Sequence, residues 1–127
     1  MARGTVLIVD SDSELAQIVS SFLNFHGFRV HYTGRVREAV GKLSLQRYSA
    51  VLLDPNLDGE RGDSVLLAAV DPTGLNSGTP FVVMSESLDY GLPVEAIGPI
   101  RSIVQKPFDL EDALAALQGA ISGGQAS

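Results

Sequence analysis

A doubly wound α/β sandwich built on a five-stranded parallel sheet is the fold this sequence predicts, and three observations predict it. Strand-length apolar runs alternate with stretches of helical periodicity along the chain. Two of those runs, Val6-Leu7-Ile8-Val9 and Val51-Leu52-Leu53, are continuous rather than alternating, as strands covered on both faces are. The 127 residues, 45 % of them hydrophobic, are enough for one domain with a core of its own.

The first strand spans 5–9 and stops at Asp10. Ser11-Asp12-Ser13-Glu14 then has capping-box spacing, with Ser11 as the N-cap and Asp12 as a solvated acid of the first turn. Leu15, Ile18, Val19, Phe22 and Leu23 fall on one helical face, and Gly27 stands where a left-handed residue ends a helix. His26 lies at that helix end, where a cation complements the dipole. The second strand spans 28–32, with His31 half-exposed because it alternates away from Phe28, Val30 and Tyr32. Val36, Ala39, Val40 and Leu43 mark the next helix, and 50–53 the third strand. In Asn56-Leu57-Asp58-Gly59, Asp58 is read as a turn residue.

The stretch 71–80 holds Pro72, Gly74, Asn76, Gly78 and Pro80 and reads as a long loop. The fourth strand spans 81–84 and the fifth 100–104. Between them Gly91, Pro93, Gly98 and Pro99 leave only 94–97 for a helix, which is expected to be short, distorted or absent. Asp109 caps the last helix, with Glu111 and Asp112 in its first turn and Leu110, Ala113, Leu114, Leu117 and Ile121 on its apolar face. Residues 1–121 are read as the domain and 122–127 as a flexible tail or the start of a linker.

Charge and composition exclude several functions. With 9 Lys+Arg against 15 Asp+Glu the net charge is −6, and no basic stripe is available for direct nucleic-acid binding. Without cysteine there is no disulfide, thiolate zinc site or cysteine nucleophile. Two histidines five apart build no multi-histidine metal site alone. The run at 6–9 is too short for a signal peptide core or a bilayer span, so a cytoplasmic protein without membrane attachment is expected.

In an open parallel sheet ligands bind beyond the carboxyl ends of the strands. There this sequence places Asp10, Asp54, Ser85 and Lys106-Pro107. Crowded carboxylates need a cation or proton to relieve their repulsion, and hard oxygen ligands with open positions suit Mg²⁺. An aspartate so relieved can attack phosphorus, while a hydroxyl and an ammonium bind the phosphoryl oxygens.

Val6–Val9 with Asp10, then Asp54, Ser85 and Lys106-Pro107-Phe108, in that order, resemble the receiver domain of two-component response regulators over about residues 4–121. The resemblance implies a flavodoxin-like sheet in the order 2-1-3-4-5 and a phosphorelay role as a signalling module, not an enzyme. It implies Asp54 as the phosphoryl acceptor, and Asp10, Asp54 and the backbone carbonyl of Asn56 as Mg²⁺ ligands. Ser85 takes the place of the switch hydroxyl, and Lys106 pairs with the phosphoryl group, its bond to Pro107 being cis. The implied partners are a sensor histidine kinase or phosphotransfer protein and an unidentified output protein.

The departures are as informative. Receivers usually carry two adjacent acids after the first strand, but Ser11 follows Asp10, which weakens the expected Mg²⁺ site. Asp58 stands where a proline is frequent, Glu86 where a small residue follows the switch hydroxyl, and Ile103 where the fifth strand carries a switch aromatic. These departures leave open a degenerate receiver that binds a partner without phosphorylation. Asp10-Ser11-Asp12 also looks like the DxD motif of haloacid-dehalogenase-type phosphatases, which would make Asp10 a nucleophile and Asp12 a general acid. Against that reading, the chain is short, a later acidic pair is missing and Asp54 has no role.

Overall fold

The computed structural model describes residues 3–86 and 98–126. Its elements are β1 (Thr5–Val9), α1 (Ser13–Phe25), β2 (Arg29–Thr33), α2 (Val36–Leu45), β3 (Ala50–Leu53), β4 (Asn56–Leu57), β5 (Glu60–Arg61), α3 (Asp63–Val70), β6 (Phe81–Ser85), β7 (Ile100–Gln105) and α4 (Leu110–Ala126). Five strands form one sheet in the order β2-β1-β3-β6-β7, every neighbouring pair parallel. Counting only these long strands, that is the order 2-1-3-4-5. The short β4 and β5 pair separately as an antiparallel hairpin. The stretch for which a short or absent helix was expected, 94–97, lies outside the described residues.

Side-chain alternation along β1 divides the core in two. Val6 and Ile8 pack on one face with Ala16, Val19 and Leu23 of α1 and Leu117 of α4. Leu7 and Val9 pack on the other with Ala39 and Leu43 of α2 and Val65 and Leu66 of α3. Residues 6–9 and 50–53 are buried throughout, which explains their unbroken apolar runs. Ile18, counted on the apolar face of α1, is 55 % exposed instead.

Three local expectations change. The N-cap of α1 is Asp12, not Ser11: its Oδ1 accepts from the Leu15 amide at 3.1 Å. A carboxylate is both an N-cap acceptor and a partner for the positive end of the helix, so the helix starts one residue later. The helix α3 had no periodic pattern singled out for it; it is eight residues long and buries Val65, Leu66 and Ala69. The last helix runs on to Ala126, past the boundary at 121 beyond which a tail was expected. Each added residue contributes one backbone bond to a helix already nucleated. Gly27 does carry a left-handed φ of 92°, and a Cβ there would press on the Arg3 side chain at 3.2 Å. Among the described residues no helix is long and apolar enough to cross a membrane.

The loop between α3 and β6 is held by Asn76, which is 1 % exposed. Its amide nitrogen donates to the carbonyls of Leu43 (2.6 Å) and Gln46 (2.8 Å), closing off the end of α2. Its oxygen accepts from the Tyr48 amide at 2.8 Å and the Thr79 hydroxyl at 3.1 Å. Removing such a hub leaves several buried groups without partners. Asn76→Ala is expected to cost about 3 kcal/mol, read as a lower urea midpoint at unchanged slope. A loss below about 0.5 kcal/mol would mean that water replaces the amide.

Candidate functional site

The carboxyl edge of the sheet is shaped by backbone bonds that carry each strand into its loop. The Asp10 amide donates to the Thr33 carbonyl at 3.1 Å, the Asp54 amide to the Val9 carbonyl at 2.9 Å, and the Lys106 amide to the Ser85 carbonyl at 2.8 Å. These bonds align the ends of β1, β3 and β7, so that residues distant in sequence meet. Lys106 Nζ lies 2.7 Å from Asp10 Oδ2 and 2.8 Å from Asp54 Oδ2. The Lys106–Pro107 bond is cis, as the resemblance implied.

The remaining carboxylate oxygens are held by neighbouring amides. Asp10 Oδ1 accepts from the Asp12 amide at 2.9 Å, and Asp54 Oδ1 from the Asn56 amide at 2.8 Å. Pro55, between them, has no amide hydrogen to offer. The Tyr32 hydroxyl donates to the Asp10 carbonyl at 2.7 Å and steadies the turn that follows β1. Ser85 is 6 % exposed at the end of β6. With Asp10, Asp54, Asn56 and Lys106 it lines one cleft of about 560 Å³.

Burial pushes the Asp10 carboxyl above its ordinary range, although the bonds from Lys106 and from the Asp12 amide pull the other way. Burial also works against the Lys106 ammonium, but its bonds to Asp10 and Asp54 prevail and raise its pKa. The contact thus favours the charged lysine more than it relieves the buried aspartate. Ser11 is exposed and supplies no carboxylate. Among the described residues no group of three acid or histidine side chains could hold a metal ion. Two carboxylates and the Asn56 carbonyl remain, an all-oxygen set that suits Mg²⁺ completed by water.

The turn at Asp58 is the one the sequence predicts; the pairing of β4 with β5 around it was not foreseen. Asp58 (φ 56°) and Gly59 (φ 91°) both lie in the left-handed region, as a two-residue Asp-Gly hairpin turn requires. Proline, locked near −65°, cannot adopt that conformation, so Asp58 belongs to this turn and not to the family pattern. Asn56 Oδ1 accepts from the Gly59 amide at 3.0 Å and closes it. The hairpin sets Arg61 across from Asn56 and on the cleft wall. The Asp-Gly pair between two short segments was the signal that could have located Arg61. Glu86 and Asp58 line the same cleft, and Ile103 is 45 % exposed on β7.

A doubly wound sheet with two carboxylates and a lysine joined at its carboxyl edge defines the class of phosphoacceptor-type α/β signalling domains. The chain belongs to the response regulator receiver domain family, which it matches over residues 6–118. It is 30 % identical over 125 residues to the uncharacterized transcriptional regulatory protein YkoG of Bacillus subtilis, covering 95 % of this chain and 52 % of that one. The chain thus spans about half the length of the curated relatives it matches. A CheY-like receiver domain from Methanospirillum hungatei shares the fold at TM-score 0.83 and 20 % identity, covering 95 % of each chain. So does the receiver domain of a sensor histidine kinase from Pseudomonas aeruginosa, whose structure holds a magnesium ion in its active-site cleft (TM-score 0.79, 21 % identity, 95 % and 99 % covered).

The phosphatase reading falls with this result. The Asp12 carboxylate, needed there as a general acid, caps α1, and Asp10 is 1 % exposed with Oδ2 on Lys106.

An acid whose pKa is higher in the folded than in the unfolded state costs stability once ionised. For Asp10 that cost is absent in strong acid and appears as pH rises from 3.8 through the folded value. Asp10→Asn keeps one acceptor oxygen, for the Asp12 amide, gives up the oxygen that accepts from Lys106 and removes the buried charge, while Lys106 retains Asp54. It is expected to melt a few degrees higher than wild type at neutral pH, with the gap closing in acid. An unchanged or lower melting temperature at neutral pH would show that the ion pair outweighs the burial.

Proposed function

We propose that this receiver domain takes a phosphoryl group on Asp54 from a sensor histidine kinase or phosphotransfer protein. The observation that carries the reading is the lysine bridge between Asp54 and Asp10 on the wall of an open cleft. A carboxylate oxygen of Asp54 forms the new bond to phosphorus as the P–N bond of the donor phosphohistidine breaks. The leaving imidazole nitrogen takes the electron pair. Lys106 neutralises charge on the incoming phosphoryl oxygens, and Ser85, on the same cleft, takes the part of the switch hydroxyl. Asp10, Asp54 and the Asn56 carbonyl are the groups that would hold Mg²⁺, which supplies positive charge beside the transferring oxygens.

The domain acts as a cytoplasmic signalling module, not an enzyme in its own right. Likeness to a transcriptional regulatory protein favours an output domain or protein that touches nucleic acid, while this domain, at net charge −6, does not. One observation favours a second reading, a receiver used as a phosphorylation-independent binding module. Ser11 removes one acid, and Lys106 already engages both that remain.

Intact mass after incubation with acetyl phosphate and Mg²⁺ separates the two. One phosphoryl group on wild type and none on Asp54→Asn is expected; no addition to either favours the binding module. In a Mg²⁺ titration, Ser11→Asp is expected to bind at least about tenfold more tightly than wild type. Equal affinity would mean that another oxygen already compensates. Ile103 has neither ring nor hydroxyl to swing between two states, so phosphorylation should leave β7 nearly unchanged. Large amide shifts across 100–105 on adding beryllofluoride would contradict this.

A further inference from the structure

We infer that the amino edge of the sheet, at the end of the domain opposite the Asp54 cleft, is a docking surface for an acidic, amphipathic polypeptide segment. The inference goes beyond the phosphoryl-acceptor reading and does not depend on it.

In a parallel sheet all strands start at one edge, and the helices that run back across the sheet end there. The fold therefore collects at one end of the molecule residues that lie apart in sequence. Arg3 precedes β1, Arg29 opens β2, Arg47 precedes β3 and Arg101 stands at the start of β7, and all four are exposed. Backbone bonds tie these starts together. The Arg3 amide donates to the Gly27 carbonyl at 2.8 Å, the Arg29 amide to the Gly4 carbonyl at 2.9 Å, and the Ser49 amide to the Thr5 carbonyl at 2.8 Å. Among the described residues the acids other than Asp71 lie at the other end, on the loops around the cleft and in the first turns of the helices. The Asp71 carboxylate is turned back on the Thr73 amide and hydroxyl, at 2.9 and 2.8 Å.

The four arginines keep their charge for a partner. Arg3 donates to the His26 carbonyl at 3.2 Å and lies over the Phe28 ring, Arg47 donates to the Leu75 carbonyl at 3.1 Å, and Arg101 to the Gly98 carbonyl at 2.8 Å. Bonds to neutral carbonyls fix a guanidinium in place without neutralising it. The ion pairs of the described residues involve Arg61 and Lys106 and none of these four. Strands of five residues separate the two edges by about 16 Å, or two Debye lengths at physiological salt. The local cations, not the net charge of −6, thus set the field that a partner meets at this edge.

Exposed apolar side chains stand among these charges. Phe25 ends α1 and is 86 % exposed, and Leu45 ends α2 and is 83 % exposed. Phe25 lies edge-on to His26, whose carbonyl holds Arg3, and Leu45 is two residues from Arg47, which holds the exposed Leu75. A lone exposed apolar residue needs no explanation, but an aromatic ring beside an arginine is the composition that interface cores favour. Charge and cover together choose the occupant: acidic side chains answer the arginines, and apolar ones cover Phe25, Leu45 and Leu75. The cleft end of a second copy is acidic as well, but among the described residues no large hydrophobic side chain lines that cleft to provide the cover.

The test titrates the protein with a synthetic peptide of alternating glutamate and leucine pairs, followed by amide chemical shifts. About 12 residues make a helix of about 18 Å, enough to span five strand starts. A peptide with glutamine for glutamate is the control. The acidic peptide is expected to bind at least about tenfold more tightly than the control, with shifts across 26–29, 45–49, 74–78 and 98–101. The double variants Arg29→Glu with Arg47→Glu, and Phe25→Ser with Leu45→Ser, should each weaken binding about tenfold at an unchanged melting temperature, since all four positions are exposed. Asp54→Asn should bind like wild type. No binding below about 1 mM, equal binding of the control, or shifts centred on the cleft overturns the inference. So does polyglutamate or single-stranded DNA binding as tightly as the peptide, which would make the edge a bare polyanion site. Self-association in sedimentation runs that Arg47→Glu abolishes would assign the edge to a second copy and overturn it too.

Discussion

One ammonium holds two carboxylates from different strands: Lys106 joins Asp10 at the end of β1 to Asp54 at the end of β3. Without it the two acids would face each other in a partly buried cleft, and one would have to take a proton. Removing the lysine is the change that leaves buried charge uncompensated, a loss that typically costs about 3–5 kcal/mol, whereas losing one acid leaves the lysine its other partner. The neighbouring geometry serves this contact. The amides of Asp12 and Asn56 hold the outer carboxylate oxygens, the Tyr32 hydroxyl steadies the Asp10 carbonyl, and the Ser85 carbonyl anchors the Lys106 amide.

The same contact bears on metal binding. In a site with fewer acids, the internal lysine cation carries a larger share of the compensating charge. A divalent ion entering such a site competes with a partner already in place for the same carboxylates. The substitution of Ser11 and the double engagement of Lys106 therefore act in one direction, toward a cleft that is neutralised from within.

The hairpin at 56–61 shows how a departure from a family pattern can be a local structural choice. Asp58 stands where the family often has a proline, and the sequence already reads it as a turn residue. In the structure it is one of two left-handed residues in a tight turn that proline could not make. The turn in turn decides the chemistry of the cleft wall, because it sets an arginine across from Asn56.

The sheet was legible in the sequence because both faces of a parallel strand are covered, so 6–9 and 51–53 had to be continuous apolar runs. Asp10, Asp54, Ser85 and Lys106 were legible for a related reason: each polar residue ends or follows such a run, and strand ends in this architecture share one edge. Tertiary structure decided the rest. Whether Asp12 or Ser11 caps α1 depends on which side chain reaches the Leu15 amide, and both have the right composition. The buried role of Asn76 depends on carbonyls of Leu43 and Gln46, some thirty residues earlier, which no local pattern announces. The place of Arg61 depends on hairpin register. Short-range periodicity encodes which face of an element is buried, while polar side chains find their partners through distances that exist only once the elements have packed.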